Sequence, residues 1–152
     1  MSSGARFRVL VLCTGNSARS QIAEALLATR GGARVEAASA GARPAQRVNP
    51  LAVEVLARHG IAWEGKRPQG IDVVTEREWD LVITVCDNAD RDCPYVAGTR
   101  ARVHWGMPDP HTAADFEATW ERLEERVAEL LALPLERLTP SELERLAQAV
   151  HR

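Results

Sequence analysis

The chain has 152 residues, 45% of them hydrophobic and 26% charged, with a net charge of −2 at pH 7 and three cysteines. This length suits one ordinary domain, and the near-neutral charge argues against binding to nucleic acid or to an acidic membrane. An odd cysteine count and the lack of an apolar leader after Met1 exclude a disulfide-rich secreted scaffold. We therefore expect a cytoplasmic monomer with reduced thiols and no membrane span.

Strand and helix patterns alternate along the chain. Helices are predicted at residues 21–29, from Asn49–Pro50 to Gly60, at 113–131 and at 140–150, where apolar residues recur at helical spacing. Short β-branched runs predict buried strands at residues 6–12, 35–38, 80–85 and 103–105. This pattern predicts an α/β fold, a three-layer sandwich with a central four-stranded parallel sheet, helices on both faces and a short extra C-terminal helix.

The last twenty residues differ from the rest. Leu133–Pro134 breaks the long helix, and Thr139, Pro140 and Glu142 then form a capping box with proline at the first helical position. Twenty residues are too few for a second domain. We therefore expect one domain over residues 1–132 and a helical appendage over residues 133–152, which docks on the core or on a partner.

A loop of small and polar residues joins the first strand to the first helix. Backbone N–H groups and the dipole at a helix N-terminus attract anions, and small side chains let the anion approach the backbone. Asn16 suits a left-handed backbone position, and the Arg19 guanidinium can hold a tetrahedral oxyanion through two hydrogen bonds. The predicted anion-binding residues are Cys13, Thr14, Gly15, Asn16, Ser17, Ala18, Arg19 and Ser20.

The same loop places a thiol in a positive field. The helix N-terminus and Arg19 favour the thiolate of Cys13, and Ser20 is placed to donate a hydrogen bond to it. The loop would then hold the anion and supply the nucleophile. The alternative is an inert cysteine packed at the end of a strand, with Arg19 as a surface charge. The combination of residue types and spacing favours the nucleophile.

The loop sequence CTGNSARSQ after VLVL resembles the phosphate loop of the low-molecular-weight protein tyrosine phosphatase fold. Further similarities are SAG at 39–41, NP at 49–50, HGI at 59–61 and DP at 109–110, so that the resemblance runs from about residue 6 to about residue 131. It implies that Cys13 is the nucleophile, that Arg19 holds the oxyanion, and that Asp109 is the general acid.

Two further cysteines separate two branches of this family. Cys86 follows the third predicted strand, and Cys93 follows in CDNADRDCP. The pair and HWG at 104–106 resemble the thioredoxin-coupled arsenate reductases. That resemblance implies reduction of arsenate to arsenite by a relay from Cys13 through Cys86 to Cys93. It also implies thioredoxin as electron donor, phosphate as a competing anion and no bound cofactor.

The spacing of the pair sets a mechanical condition. Seven helical positions separate two Cα atoms by about 10.5 Å, whereas a disulfide requires less than about 7 Å. A bond between Cys86 and Cys93 therefore requires the intervening segment to unwind or loop out. A structural zinc site with Cys86, Cys93 and His104 is the alternative, although the chain has no evident fourth ligand at a usual spacing.

The chain also departs from the family pattern. Position 18 is alanine where related reductases often have a further cysteine, and His111–Thr112 stands where phosphatases place aromatic residues over a phosphotyrosine ring. Some members bind potassium beside the loop. Asn16, Glu24 and Ser39 match that pattern, but Gln69 replaces an expected acidic ligand.

Two other functions remain open from the sequence. One is a phosphatase of the same fold, which hydrolyses phosphomonoesters through a cysteinyl-phosphate. The other is a non-catalytic oxyanion sensor that docks on a partner through its last helix.

Overall fold

A computed structural model describes residues 6–85 and 96–151. Its sheet has four strands, all parallel, in the order β2-β1-β3-β4. The central residues of the first strand are fully buried, as expected for a strand covered on both faces. The predicted α/β fold with a four-stranded parallel sheet is confirmed. The strands are β1 (Phe7–Cys13), β2 (Val35–Gly41), β3 (Trp79–Thr84) and β4 (Thr99–His104).

Four α-helices surround this sheet in the described parts of the chain. They are α1 (Arg19–Gly31), α2 (Pro50–Arg58), α3 (Ala113–Leu131) and α4 (Pro140–Ala149). Helix α1 packs against β1, β2, α2 and α3, and α4 packs against β4. No helix in the described ranges is long and apolar enough to cross a bilayer.

The largest error in the predicted elements concerns β4. The strand begins at Thr99, four residues before the predicted start, and pairs with β3 along its whole length. Apolar Ala101 and Val103 alternate with Arg100 and Arg102, because one face of β4 is buried and the other is partly exposed. A search for continuous apolar runs misses such a strand. Helix α1 begins two residues earlier than predicted, and β2 continues to Gly41.

Helix α4 docks on the core. Its capping box is present as predicted, since the Thr139 side chain accepts from the Glu142 N–H and the Glu142 carboxylate accepts from the Thr139 N–H. Leu143 and Ala147 are buried on the inner face of the helix. The division of the chain at residue 132 stays a prediction.

The parallel sheet brings four strand ends to one edge. Cys13, Gly41, Thr84 and His104 are the last residues of β1 to β4. Cys13 pairs with Gly41 and Thr84 pairs with His104, and the two pairs are offset by one residue, since Thr84 also pairs with Leu12. In parallel α/β sheets, ligands bind in the crevice outside the carboxyl ends of the strands. The loops that follow β1 and β4 therefore meet where the anion loop was predicted.

Candidate active site

The anion loop lies between the end of β1 and the start of α1. Cys13 is 4% exposed and lies at the base of the loop, and the helix begins at Arg19. Asn16 has φ = 53° and is the one non-glycine residue with positive φ in the described chain, as its residue type favours. The loop thus turns sharply at Asn16 and leads directly into the helix.

The carbonyl oxygens of the loop point outwards. The backbone N–H groups of the segment 43–49 donate to the carbonyl oxygens of Thr14, Gly15 and Ser17 over 2.8–2.9 Å. In a trans peptide the C=O of one residue and the N–H of the next point in opposite directions. The N–H groups that follow these carbonyls therefore point to the inner side of the loop, where an oxyanion can accept hydrogen bonds from them.

Gly41 permits the close approach of β2 to this loop. A Cβ atom at position 41 would lie 2.5 Å from the Thr14 carbonyl oxygen and 2.9 Å from that of Cys13. Both neighbours are backbone atoms and cannot move aside as a flexible side chain would. Glycine at this position therefore allows the end of β2 to pack directly against the backbone of the anion loop.

The N-terminus of α1 is open towards the loop. Its N-cap residue is Ala18, whose side chain makes no capping hydrogen bond, and the first turn contains no acidic residue. The first N–H groups of a helix have no partner within the helix, and the dipole concentrates positive potential there. This end of α1 can therefore bind an anion without displacing a side-chain cap.

The Arg19 side chain joins the loop to the segment after β4. Its Nη1 donates to the Met107 carbonyl oxygen over 2.8 Å, and its Nη2 lies 3.4 Å from Oδ1 of Asp109. The Arg19 side chain is only 12% exposed, and its buried Nε has no hydrogen-bond partner among the described residues. The guanidinium thus brings Asp109, which is 61% exposed, to the edge of the loop and keeps one buried donor available.

A hydrogen-bond network beneath the loop is centred on Asn16. Its Nδ2 donates to the hydroxyl oxygens of Ser20 and Ser39 over 2.9 and 2.8 Å, and its Oδ1 accepts from the Gln69 N–H over 2.9 Å. The Gln21 side chain also donates to the Asn16 carbonyl oxygen over 3.0 Å. Because the Ser20 oxygen is used as an acceptor, the Ser20 O–H is left as a donor for another group.

The structure thus places the predicted loop residues, from Cys13 to Ser20, and Asp109 around one site. Cys86 and Cys93 lie outside the described residues, and with them the predicted relay and the alternative zinc site. In the described ranges, no group of three or more His, Cys, Asp or Glu side chains could hold a metal ion.

Comparison with known proteins shows where this site belongs. A sequence model of the low molecular weight phosphotyrosine protein phosphatases matches residues 8–145. The chain belongs to this family. The resemblance seen in the sequence is confirmed, and the match extends beyond the expected limit at about residue 131 into α4.

Members described as arsenate reductases are similar to this chain. It is 36% identical over 121 residues to an arsenate reductase of Bacillus cereus (strain 03BB102). The aligned region covers 78% of this chain and 90% of the relative. A structure of an arsenate reductase in its phosphate binding state superposes with a TM-score of 0.75 at 27% identity, covering 83% of this chain and 97% of that one. A structure of a thioredoxin-dependent arsenate reductase of Corynebacterium glutamicum superposes with a TM-score of 0.68 at 32% identity. The match covers 84% of this chain and 61% of that one.

The potassium site known from some family members is not a good fit to these residues. The Gln69 side-chain amide donates to the Ser39 carbonyl oxygen over 2.9 Å, so an N–H group occupies a position from which a cation would need an oxygen ligand. The Ser39 hydroxyl donates to Glu24 over 2.6 Å, and Oδ1 of Asn16 already accepts from Gln69. The polar groups of Asn16, Glu24, Ser39 and Gln69 therefore form hydrogen bonds with one another where a cation would need free oxygen ligands.

Glu24 is a buried carboxyl at the end of this network. Burial raises the pKa of Glu24 above its usual value of 4.5, while the Ser39 hydrogen bond and the nearby Lys66 ammonium oppose the rise. The native state therefore binds the Glu24 proton more tightly than the unfolded chain does. This carboxyl consequently lowers the free energy of unfolding as pH rises from below 4.5 through its raised pKa.

Replacing Glu24 by glutamine is expected to stabilise the protein increasingly as pH rises. The glutamine keeps an acceptor for the Ser39 hydroxyl but has no charge to bury. The difference in unfolding midpoint between E24Q and the parent should therefore grow from about pH 4 to about pH 8. Thermal unfolding across this range checks it, with E121Q on the exposed face of α3 as the flat control. A difference that shrinks with pH would contradict the assigned burial cost.

Two contacts around this site were not predicted from the sequence. One is the Met107 carbonyl, which holds Arg19; a backbone acceptor leaves no signal in side-chain patterns. The other is the Trp63 side chain, whose Nε1 donates to Oε1 of Gln21 over 2.9 Å. Because a buried indole N–H usually requires a partner, the tryptophan itself was the available signal.

Proposed function

We propose that the protein reduces arsenate to arsenite through Cys13 in the anion loop and a three-cysteine relay that thioredoxin resets. The observation that carries the proposal is the position of Arg19, which links the loop to Asp109 and keeps a buried donor beside the oxyanion position. The similarity to arsenate reductases, including a thioredoxin-dependent one, supports the choice of substrate and electron donor.

In the first step, the Cys13 thiolate attacks arsenic(V). The inner N–H groups of the loop, from Thr14 to Ser20, and the Arg19 guanidinium hold the arsenate oxygens and offset their charge. A sulfur–arsenic bond forms and an arsenic–oxygen bond breaks, and Asp109 gives its proton to the departing oxygen, which leaves as water. Arsenic is still pentavalent after this step, because only its ligands have changed.

The electrons move in the second step. The Cys86 thiolate attacks the Cys13 sulfur, a disulfide forms, and the electron pair of the sulfur–arsenic bond stays on arsenic, which leaves as arsenite. Cys93 then attacks Cys86, which releases Cys13 and leaves a Cys86–Cys93 disulfide. Two electrons from the thioredoxin dithiol reduce this disulfide and restore the three thiols.

This cycle needs no resident cofactor and suits a reducing compartment, so we expect a cytoplasmic protein. All three thiols belong to one chain, so we expect a monomer to be sufficient. Phosphate should compete with arsenate, because the two anions share shape and charge.

A phosphatase of the same family is the competing function. Cys13, Arg19 and Asp109 would equally serve the transfer of a phosphoryl group to the thiolate. The sequence argues against a phosphotyrosine substrate, because His111 and Thr112 follow Asp109–Pro110 and neither provides the large hydrophobic ring of a Tyr, Phe or Trp to cover a phenol. Slow hydrolysis of phosphate esters is expected in an arsenate reductase too, so that the dependence on Cys86 separates the two functions.

The test is arsenate-dependent oxidation of NADPH with thioredoxin and thioredoxin reductase, followed by mass spectrometry of the protein after one turnover. We expect NADPH to be consumed. The mass spectrum should show two peptides linked by a Cys86–Cys93 disulfide, with Cys13 as a free thiol after the turnover. Rapid ester hydrolysis without reductant and no arsenate-dependent oxidation would instead establish the phosphatase. Stoichiometric binding of arsenate without turnover would establish a sensor.

A further inference from the structure

Helix α4 holds the backbone at the end of β4 through a single side chain. Oε1 of Gln148 accepts from the His104 N–H over 2.9 Å, and Nε2 of Gln148 donates to the His104 carbonyl oxygen over 2.6 Å. The amide thus bonds both backbone groups of one residue, as a neighbouring strand would. In the part of the sheet that the structure describes, β4 is the outer strand, and the Gln148 amide lies where a further strand would pair with it.

The residues that follow His104 are held from two directions. The Trp105 ring is fully buried, and its Nε1 donates to the Ala147 carbonyl oxygen of α4 over 2.9 Å. On the other side, the Trp105 N–H donates to Thr84 over 2.7 Å and the Met107 N–H donates to Val85 over 3.2 Å. The segment 104–107 is therefore held by hydrogen bonds to α4 on one side and to residues 84–85, at the end of β3, on the other.

This segment carries two groups of the active site. The Met107 carbonyl oxygen accepts from Arg19 over 2.8 Å, and Asp109 lies two residues further, 3.4 Å from the same guanidinium. A shift of His104 and Trp105 would move both groups relative to the loop. We infer that Gln148 is a positioning residue, which sets Asp109 and the Met107 carbonyl through the backbone of β4. The inference rests on the proposed chemistry at Cys13.

The same helix offers a matched control. One turn before Gln148, Oε2 of the exposed Glu144 accepts from the Arg102 N–H over 3.1 Å. Glu144 thus bonds the same strand from the same helix, but two residues further from the active site. A contribution to the stability of the α4–β4 contact alone would affect both positions, whereas a positioning role is specific to Gln148.

The experiment compares Q148M with E144M in the full chain. Methionine keeps the volume of glutamine and removes its hydrogen bonds, and Q148E keeps only the acceptor for the His104 N–H. The activities measured are kcat/KM for phenyl phosphate, for dinitrophenyl phosphate and for arsenate. The dinitrophenolate leaves without a proton, whereas phenolate requires the general acid. Unfolding midpoints are recorded for each variant.

Q148M is expected to lower kcat/KM for phenyl phosphate by about tenfold and for dinitrophenyl phosphate by about twofold at most, because a displaced general acid matters only to the poor leaving group. Arsenate reduction should fall with phenyl phosphate. Q148E should lose at least as much activity as Q148M, because a carboxylate oxygen would face the His104 carbonyl oxygen where the amide nitrogen now donates to it. E144M should keep all three activities, and its unfolding midpoint should fall less than that of Q148M, because it loses one exposed hydrogen bond instead of two.

Two results would overturn the positioning role. One is an equal loss in Q148M and E144M, and the other is an equal loss on the two esters and on arsenate in Q148M. Failure of the proposed function looks different: the parent protein would hydrolyse the esters without reducing arsenate, and the comparison of the two esters would still decide the role of Gln148. If the parent hydrolyses neither ester, the arsenate values of Q148M, Q148E and E144M decide it.

Discussion

Replacing Cys93 by serine is expected to stop thioredoxin-dependent turnover while leaving about one round of arsenate reduction per molecule. The first two steps use only Cys13 and Cys86, so arsenite is still released and a Cys13–Cys86 disulfide accumulates. An external thiol must then resolve that disulfide in a bimolecular step. Because an intramolecular thiol has a far higher effective concentration, we expect the steady-state rate to fall by about 100-fold or more. Arsenite counted in a single turnover and in the steady state checks it.

The companion variants separate the relay from the anion loop. C86S should release no arsenite in a single turnover without added thiol, because Cys86 is the thiol that attacks the Cys13 sulfur in the proposed second step. Both C86S and C93S should hydrolyse phosphate esters at the rate of the parent, since ester hydrolysis uses only Cys13, Arg19 and Asp109. Unchanged steady-state arsenate reduction by C93S would disprove a relay of three thiols and leave Cys86 as the target of an external reductant.

Replacing Arg19 by lysine is expected to lower kcat/KM for arsenate and for phosphate esters by about 100- to 1000-fold. Lysine keeps the charge but loses the planar fork. The fork is what allows one side chain to bond the Met107 carbonyl oxygen, to lie 3.4 Å from Asp109 and to keep its buried Nε for an oxyanion. Steady-state kinetics on both substrates, with the binding of phosphate measured separately, check the expectation.

The control for R19K lies on the same helix. Arg30 is near the C-terminal end of α1, where its Nη2 lies 2.7 Å from Glu124, and both side chains are partly exposed. Because exposed ion pairs contribute little to stability and this pair is far from the loop, R30K should keep full activity. Equal activity of R19K and the parent would mean that the positive charge alone is sufficient at position 19 and that the planar fork of the guanidinium is not required.

Much of the site could be predicted because the residues of the anion loop are consecutive in the sequence. The strand β1, the loop and the start of α1 are adjacent in sequence, so that the thiol, Asn16 and Arg19 are brought together by local geometry alone. The left-handed backbone of Asn16 is an example: the residue type favours it, and the structure has φ = 53° there. Capping boxes at the starts of α3 and α4 are equally local, and that of α4 was predicted from four residues.

Contacts between segments that are distant in sequence could not be predicted from the sequence. The Gln69 amide, which satisfies the Ser39 carbonyl in place of a cation, and the Met107 carbonyl, which holds Arg19, act across 30 and 88 positions of sequence. Strand β4 was predicted too short because Arg100 and Arg102 interrupt its apolar residues. How far the face of a strand that bears such residues is buried depends on the elements that pack around it, and these are distant in sequence.

The sequence by itself determined the α/β architecture, the anion loop with its thiol and the family to which they point, because periodicity and a contiguous motif need no knowledge of distant contacts. Only the tertiary structure decided that Arg19 joins the loop to Asp109, that the side chains beneath the loop satisfy one another, and that Gln148 bonds both backbone groups of His104. The physical reason is that hydrogen bonds depend on distances of a few ångströms, which folding sets between residues that are far apart in the chain.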